Sequence, residues 1–457
     1  MNVIEVEMKN LGVRPSRSTF GAIIPGLIRG RHFSKALMML DVMRTHGIPP
    51  SVLFFNLMID GYIKTDQLAL AQSLFERMKD AGIAPNNFTY NSLINAHLRN
   101  GEEQEAADLV SEMKRKGIDA DEITHTSLLH HNVRKGKLSA AEKQLEEMKK
   151  MGLKPNVISF NSVLHGCLNE DDLDKCFKYL REMEASNVQP DALSYETVMQ
   201  ACTKQNKMRQ ALELFAEMKS KNVAPTERTY GILIQSCVKA PTPQLETAFT
   251  LFEEMKANPS RKPSVFAYNI LINGCTHKGQ WGHVTRLLEE MKKEGLEMNE
   301  ITYCTLVSGR ARVNQLAEAY EYIQQMKNDE TLTASVLSPY IGGCVRNGQW
   351  MKAYTEWMAF FNSKQQMKQS MQTDPGSVEG IYKFLIGHEK SAGEHIDLKL
   401  KLFEDMKGLG FSSPVPFLYR TLIRGCELAG KPQEDRSKLE RDLNYATRKK
   451  KGNKYFL

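Results

Sequence analysis

The sequence has no apolar run near the ~20 residues that a helix needs to cross a bilayer, so a membrane-spanning segment is not expected. It lacks a G-x-x-x-x-G-K-[ST] phosphate loop, a G-x-S-x-G nucleophile turn and the H-x-E and C-x-x-C elements of a zinc deaminase. No acidic cluster resembles the metal site of a nuclease. These absences predict a binding protein rather than an enzyme, with no cofactor.

Cysteine and histidine supply no metal pattern either. The chain has eight cysteines and no C-x-x-C pair, and the adjacent His130 and His131 have no acidic residue or cysteine at ligand spacing. Six cysteines recur at one point of a repeated helix, which predicts a small buried packing position in a reducing compartment. They are Cys167, Cys202, Cys237, Cys275, Cys344 and Cys426.

What the sequence does contain is a strict internal period. Seven methionines are spaced 35 residues apart: Met8, Met43, Met78, Met113, Met148, Met183 and Met218. After a short slip the phase resumes at Met255, Met291 and Met326, and Met406 fits as a late member. A fixed period of this length indicates one structural unit copied end to end.

Other residues keep the same period and define the unit. A small residue lies seven positions before most of these methionines, as at Ala71 and Ala106, and Gly or Asn lies four positions after them, as at Gly82 and Asn187. A small residue lets helices approach closely, and Gly or Asn suits a left-handed helix cap. Each unit is therefore predicted to be two short helices, and the chain an all-α solenoid.

The period divides the chain into five predicted segments. Residues 1–16 match only the second helix of a unit, which suggests a fragment or an incomplete gene model, and ten full units occupy 17–366. Residues 367–378 are predicted to be an insertion or linker, and 379–447 degenerate C-terminal repeats. Residues 448–457 form a basic tail, which is either a solvated end or a further nucleic-acid contact.

The unit closely resembles the pentatricopeptide repeat, and its uniform length resembles the P-class of that family. One unit reads Asn87-Phe-Thr-Tyr-Asn-Ser-Leu-Ile, reaches Met113 in its second helix and ends Gly117-Ile-Asp-Ala-Asp121. The resemblance covers nearly the whole chain. It implies a right-handed superhelical solenoid whose first helices line a groove for single-stranded RNA, with one nucleotide per repeat and the N-terminus at the 5′ end.

The resemblance also implies which residues read the bases. In the family, one reader follows the aromatic residue early in the first helix, and the other is the last residue of the unit. By the family's code, five pairs here read a pyrimidine, U, A, U and a pyrimidine: Asn56 with Asn86, Asn91 with Asp121, Thr126 with Asn156, Asn161 with Asp191, and Asn269 with Asn299. The first four units are consecutive, so the predicted target is 5′-YUAU-3′, with a pyrimidine three positions further on.

Five other units depart from the code. Their first readers are Gly21, Glu196, Gly231, Cys304 and Ser338, which predict no particular base. These units are expected to tolerate any base or to contact none.

Two further series complete the predicted site. Apolar residues lie three positions before the reader, where the family sandwiches bases, although helix packing also explains them: Leu53, Phe88, Ile123, Ile158, Leu193, Phe266 and Ile301. Eight positions after the reader, eight of ten units carry Lys or Arg: Arg29, Lys64, Arg99, Arg134, Lys204, Lys239, Arg312 and Arg346. One charge per unit favours phosphate binding over a merely solubilising helix end, where a cation also suits the helix dipole.

These predictions favour a sequence-selective RNA-binding protein of mitochondria or chloroplasts that stabilises, processes or helps to translate transcripts. No targeting peptide is visible in the sequence. The alternative is a scaffold that binds proteins without reading RNA sequence, for example one associated with an organellar ribosome. Expected partners are single-stranded RNA and other RNA-processing or ribosomal proteins, with no membrane and no small-molecule substrate.

Overall fold

The computed structural model describes residues 16–242, 244–257, 262–388, 393–409, 411 and 416–452. Met8, nearly all of the half-unit predicted at 1–16 and the end of the basic tail lie outside the described residues. No described helix combines the length and the apolar composition that crossing a bilayer requires.

Over the described residues the chain forms 25 α-helices and no strands, which confirms the predicted all-α fold. In the first compact unit, Met1–Pro225, the helices are α1 (Arg17–Arg29), α2 (Phe33–Thr45), α3 (Val52–Lys64), α4 (Leu68–Asp80), α5 (Asn87–Asn100), α6 (Glu103–Arg115), α7 (Glu122–Arg134), α8 (Leu138–Lys150), α9 (Val157–Asn169), α10 (Leu173–Ala185), α11 (Ala192–Lys204) and α12 (Met208–Ser220).

The second compact unit is Thr226–Leu457. Its helices are α13 (Glu227–Lys239), α14 (Leu245–Lys256), α15 (Val265–His277), α16 (Trp281–Lys293), α17 (Glu300–Arg312), α18 (Leu316–Asn328), α19 (Ala334–Arg346), α20 (Trp350–Asn362), α21 (Lys364–Thr373), α22 (Pro375–Gly387), α23 (Ile396–Gly408), α24 (Pro416–Leu428) and α25 (Gln433–Gly452).

Helices α1 to α20 form ten hairpins, in which the odd-numbered helix comes first and the even-numbered helix second. Within each compact unit, a first helix packs against the second helix of its own hairpin and against the first helix of the next hairpin. Each hairpin thus buries its apolar face against its neighbours, as a solenoid requires.

The repeated residues end and pack the helices as predicted. Asn187 and Gly152 follow second helices with φ of 57° and 75°, the left-handed conformation that stops a helix. The periodic methionines from Met43 to Met406 lie in the core, exposed by 3% or less. All eight cysteines are free, and seven of them, including the six periodic ones, are buried, which confirms their packing role.

Close packing of the first helices depends on small residues in their second half. A Cβ added to Gly166 of α9 would lie 2.7 Å from Leu138 Cδ1 and 3.3 Å from Val133 Cγ2 of the preceding hairpin. Glycine therefore sets how near α9 comes to α7, and the spacing of first helices sets the spacing of the residues that they carry.

Ion pairs on the second helices also join neighbouring hairpins. Lys79 Nζ lies 3.3 Å from Glu112, which also accepts a 3.0 Å hydrogen bond from the Tyr90 hydroxyl. Lys327 Nζ lies 2.6 Å from Glu356 in the second compact unit. Partly exposed pairs of this kind contribute modestly each, about 0–1 kcal/mol.

The structure gives the segment after the tenth hairpin more order than a linker would have. Helix α21 ends at Thr373 and α22 begins at Pro375, so both enter the stretch 367–378 that was predicted to be an insertion or linker. Met367 and Ser370 are buried, and the Ser370 hydroxyl accepts a 3.2 Å hydrogen bond from the Ala334 amide. Asp374 starts α22 by accepting from the Ser377 amide, 3.1 Å away. The insertion is thus helical and packed.

Candidate nucleic-acid interface

The predicted stacking, reading and phosphate-binding residues share one face of the first helices. Counted from the first reader of each unit, the stacking residue lies at −3 and the phosphate-binding residue at +8. A helix turns about 100° per residue, so the three side chains project within roughly 80° of one another. We call this the reader face. Each compact unit carries such a face on its own first helices.

Four of the five predicted reader pairs are brought together directly. In each, the asparagine Nδ2 of the first reader donates to a side-chain oxygen of the last residue of the unit. The distances are 3.2 Å from Asn56 to Asn86, 2.9 Å from Asn91 to Asp121, 3.0 Å from Asn161 to Asp191, and 3.1 Å from Asn269 to Asn299.

The second reader is held in place because it also caps the next first helix. Asp121 Oδ1 accepts from the Ile123 and Thr124 amides at 3.1 and 2.9 Å. Partial burial raises the pKa of the Asp121 carboxyl, but the hydrogen bonds from Thr124 and Asn91 lower it by more, so the net pKa lies below its ordinary value. Asp121 is thus an ionised acceptor at neutral pH, and Asn91 must offer it the N–H end of its amide.

The fifth predicted pair is linked through a third residue. Thr126 Oγ1 donates to the Glu122 carbonyl at 2.6 Å and lies 2.9 Å from Ser159 Oγ. Ser159 in turn donates to Asn156 Oδ1, from its amide at 3.0 Å and its hydroxyl at 3.2 Å. Thr126 and Asn156 therefore form one network with Ser159.

The structure adds a residue type that sequence reasoning missed. Beside each of the five first readers lies the hydroxyl of a fully buried Thr or Ser from the following hairpin, at the third position of its first helix. These residues are Thr89, Thr124, Ser159, Ser194 and Thr302. A constant spacing of 33 residues after the reader was the available signal. In the sequence these residues look like ordinary helix-start residues.

Exposure separates the readers from the residues that flank them. The asparagine readers are only 5–8% exposed, whereas the seven predicted stacking residues are 46–64% exposed. About half of each of these large apolar side chains is open to solvent, which leaves surface for a base to stack on, so base stacking remains the prediction for them.

The departing units differ in what stands at the reader position. Glu196 is buried, and Cys304 Sγ lies 3.5 Å from the Ser335 carbonyl. A Cβ added to Gly231 would lie 3.4 Å from Phe266 Cε1, so this ring borders the place of the missing side chain.

All eight predicted phosphate-binding cations are exposed on the reader face. Two of them already have acidic neighbours, since Lys64 Nζ lies 2.7 Å from Asp60 and Lys204 Nζ lies 2.9 Å from Asp171. Arg312 Nη1 lies 2.8 Å from His277 Nδ1, which occupies the same position one hairpin earlier. The face therefore presents one cation in most hairpins.

Histidine and acidic residues form no alternative site among the described residues, where no group of three or more His, Cys, Asp or Glu is placed to hold a metal ion. His131 is buried with Nδ1 3.0 Å from the Leu98 carbonyl, and its neighbour His130 is exposed. The pair is thus split between the core and the reader face.

Three family models match the sequence. The pentatricopeptide repeat domain matches residues 3–65 and 108–170. The PPR repeat family matches 50–97, 155–204, 191–239 and 263–312, and the PPR repeat matches 88–118. Together these matches run over residues 3–239 and 263–312.

Two Arabidopsis thaliana relatives illustrate the similarity to known proteins. A chloroplastic pentatricopeptide repeat-containing protein is 31% identical over 87 residues, which cover 19% of this chain and 17% of the relative. A mitochondrial one is 25% identical over 223 residues, covering 43% of this chain and 41% of the relative. The matched part is thus less than half of either relative.

Solved structures share the fold. The pentatricopeptide repeat protein PPR10 in complex with an 18-nt psaJ RNA element has a TM-score of 0.67 at 20% identity, over 94% of this chain and 60% of that one. PPR10 from maize gives a TM-score of 0.52 at 19% identity, over 97% and 76%. The solenoid fold predicted from the period is therefore shared with these proteins.

Proposed function

Because the chain belongs to the pentatricopeptide repeat family, we propose that it is a sequence-selective single-stranded RNA-binding protein that reads one nucleotide per repeat. The observation that carries this proposal is the repeated reader pair, four times an asparagine amide hydrogen-bonded at 2.9–3.2 Å to the last residue of its unit. A scaffold would have no need to fix the same amide four times beside exposed apolar side chains.

The surroundings of each pair match the three parts of a nucleotide. Exposed apolar residues such as Phe88 and Ile123 offer stacking surfaces for bases, the fixed amides offer hydrogen bonds to base edges, and exposed cations such as Arg99 offer contacts to phosphate. We take the target core to be 5′-YUAU-3′, from the hairpins that begin with α3, α5, α7 and α9.

The proposed setting is an organelle, since relatives of this chain are named as chloroplastic or mitochondrial proteins. The uniform repeat supports the P-class, and the family models that match residues 3–239 and 263–312 are all pentatricopeptide repeat models, which supports a binder without catalytic activity. In this role tight binding would stabilise a transcript end, guide processing or expose a translation start.

The test is equilibrium binding of the purified chain to short RNAs that contain YUAU, compared with permuted controls across a salt series. Selective binding with a slope of log K against log salt near −0.7 per engaged cation, or about −6 for eight, is expected. Steep but unselective binding would reject the reader assignments. No binding at any salt concentration would reject RNA binding and favour the protein scaffold.

A further inference from the structure

The buried Thr or Ser near the start of several first helices contacts the reader of the preceding hairpin as well as its own helix cap. We propose that the buried hydroxyl at the third position of four first helices is a specificity-determining positioning group, which fixes the amide orientation of the asparagine reader in the preceding hairpin. The four residues are Thr89, Thr124, Ser194 and Thr302. This proposal rests on the proposed function, because it concerns how that reader selects a base.

The hydroxyl contacts the reader more closely than it contacts the helix cap. The distances from hydroxyl oxygen to reader Oδ1 are 2.6 Å from Thr89 to Asn56, 2.5 Å from Thr124 to Asn91, 2.6 Å from Ser194 to Asn161, and 2.7 Å from Thr302 to Asn269. The same hydroxyls lie 2.9–3.0 Å from the capping oxygen of the last residue. Because the contact to the reader is the shorter of the two, the hydroxyl donates its proton to the reader Oδ1 rather than to the capping oxygen.

The two bonds together leave one orientation for the amide. In the α5 hairpin, Asp121 only accepts hydrogen bonds, so Asn91 turns its Nδ2 to Asp121 and its Oδ1 to the Thr124 hydroxyl. Rotating the amide by 180° would set Oδ1 against a carboxylate and would remove the Oδ1 acceptor to which the Thr124 hydroxyl donates. Such a rotation would also exchange donor and acceptor toward a base, and would therefore change which base fits.

The hydroxyl is itself oriented by the start of the helix that carries it. The amides of Asn86, Asp191 and Asn299 each donate to it at 3.2 Å, from the residue that precedes that helix. The oxygen therefore accepts from the backbone and donates to the reader. Since Thr89, Thr124, Ser194 and Thr302 are 0% exposed, water does not compete for these bonds.

The identity of the third residue follows the identity of the reader along the chain. Where the reader is Gly or Cys, the third residue of the next first helix has no hydroxyl: Phe54 follows Gly21, Ala267 follows Gly231 and Val336 follows Cys304. The residues just before these helices, Ser51, Ser264 and Thr333, are also of a type that can form a capping box. Capping alone therefore does not explain where the hydroxyl occurs, whereas the presence of a polar reader does.

The test uses two hydroxyls that serve different readers in the same compact unit. Thr124→Val should lower the preference for U opposite Asn91 by about three- to tenfold, the factor that one lost neutral hydrogen bond corresponds to, and leave the preference opposite Asn161 unchanged. Ser194→Ala should do the reverse. Base preference is measured by binding to YUAU-containing RNAs in which the second or the fourth base is varied.

Two matched variants separate positioning from stability. Thr124→Ser keeps the hydroxyl, as Ser194 does naturally, and should restore the preference. Thr203→Val removes another buried hydroxyl, one that donates to the Met199 carbonyl of its own helix at 2.9 Å, and should change no preference. In Thr124→Val, Asp121 still caps the helix by accepting from the backbone amides at positions 123 and 124, so the helix start is retained.

The possible outcomes distinguish this proposal from the proposed function. If the unaltered chain prefers U at both positions and Thr124→Val and Ser194→Ala keep both preferences, the hydroxyl role is overturned and the function stands. If the two variants weaken preference at both positions equally, they act through general stability, which also overturns the role. If the unaltered chain shows no base preference, the proposed function fails and this inference fails with it.

Discussion

At the scale of the residue, the candidate site is a set of amides held by neighbours on both sides. Asn91 contacts Asp121 at the end of its own unit and Thr124 in the next helix, so an amide that would rotate freely on a helix surface is fixed in one orientation. Preorganised groups of this kind lose less entropy on binding than mobile ones do. The same arrangement at Asn56, Asn161 and Asn269 is the reason for treating each as a reader.

The adenine assignment of Thr126 gives the sharpest prediction at this scale. Thr126→Asn places an amide between Asn156 and the Ser159 hydroxyl, which is the arrangement around Asn56, so the preference at the third base should change from A to a pyrimidine. Binding to YUAU and to YUYU measures it. The matched control is Ser127→Asn, one position on, which should leave the preference for A; retention of A by Thr126→Asn would contradict the assignment.

At the scale of the element, the hairpins work because their first helices approach closely and in register. Small residues set that approach, as Gly166 does where α9 meets Leu138 and Val133 of the preceding hairpin. The hydrogen bond from the hydroxyl of the next helix to each asparagine reader, 2.5–2.7 Å long, can form only at this spacing.

A larger residue at Gly166 should therefore cost stability. Gly166→Val adds side-chain atoms where the Cβ alone would lie 2.7 Å from Leu138 Cδ1, and overpacking of this size typically costs about 1–3 kcal/mol. Gly21→Val is the control, because Gly21 is also in a first helix and has nothing within 4 Å of an added Cβ. Thermal or denaturant unfolding measures both, and equal stability of the two variants would contradict the packing account.

At the scale of the whole molecule, binding strength and sequence selectivity come from different residues. Exposed cations follow the readers at a constant interval in eight of ten hairpins, and their attraction to phosphate is the same for every base. Changes to cations should therefore alter affinity and salt dependence without altering base preference, whereas changes to readers should do the opposite.

Replacing Arg99 and Arg134 by alanine tests this separation. The double variant should bind all RNAs more weakly and lower the magnitude of the salt slope by about 1 per residue, with the preference for YUAU retained. Arg209→Ala is the control, because Arg209 is exposed on the second helix α12, 3.0 Å from Glu213, and away from the reader face. A loss of base preference in the double variant would show that the cations do more than bind phosphate.

The sequence by itself determined the repeat, the two-helix unit and the buried methionine, alanine and cysteine positions, because a period of 35 residues forces each position into one environment in every copy. It also supplied the cation series, through the same period, and the reader series, through a resemblance that the family matches support.

Only the tertiary structure showed that the readers are joined to buried hydroxyls of the next hairpin. Those bonds link residues 33 apart through the packing of two helices, and in the sequence Thr89 or Ser194 looks like an ordinary helix-start residue. The same holds for α21, where a polar stretch with little apolar pattern became helical because Met367 and Ser370 found places against the core. Burial supplied by neighbouring helices, rather than local preference, decided both.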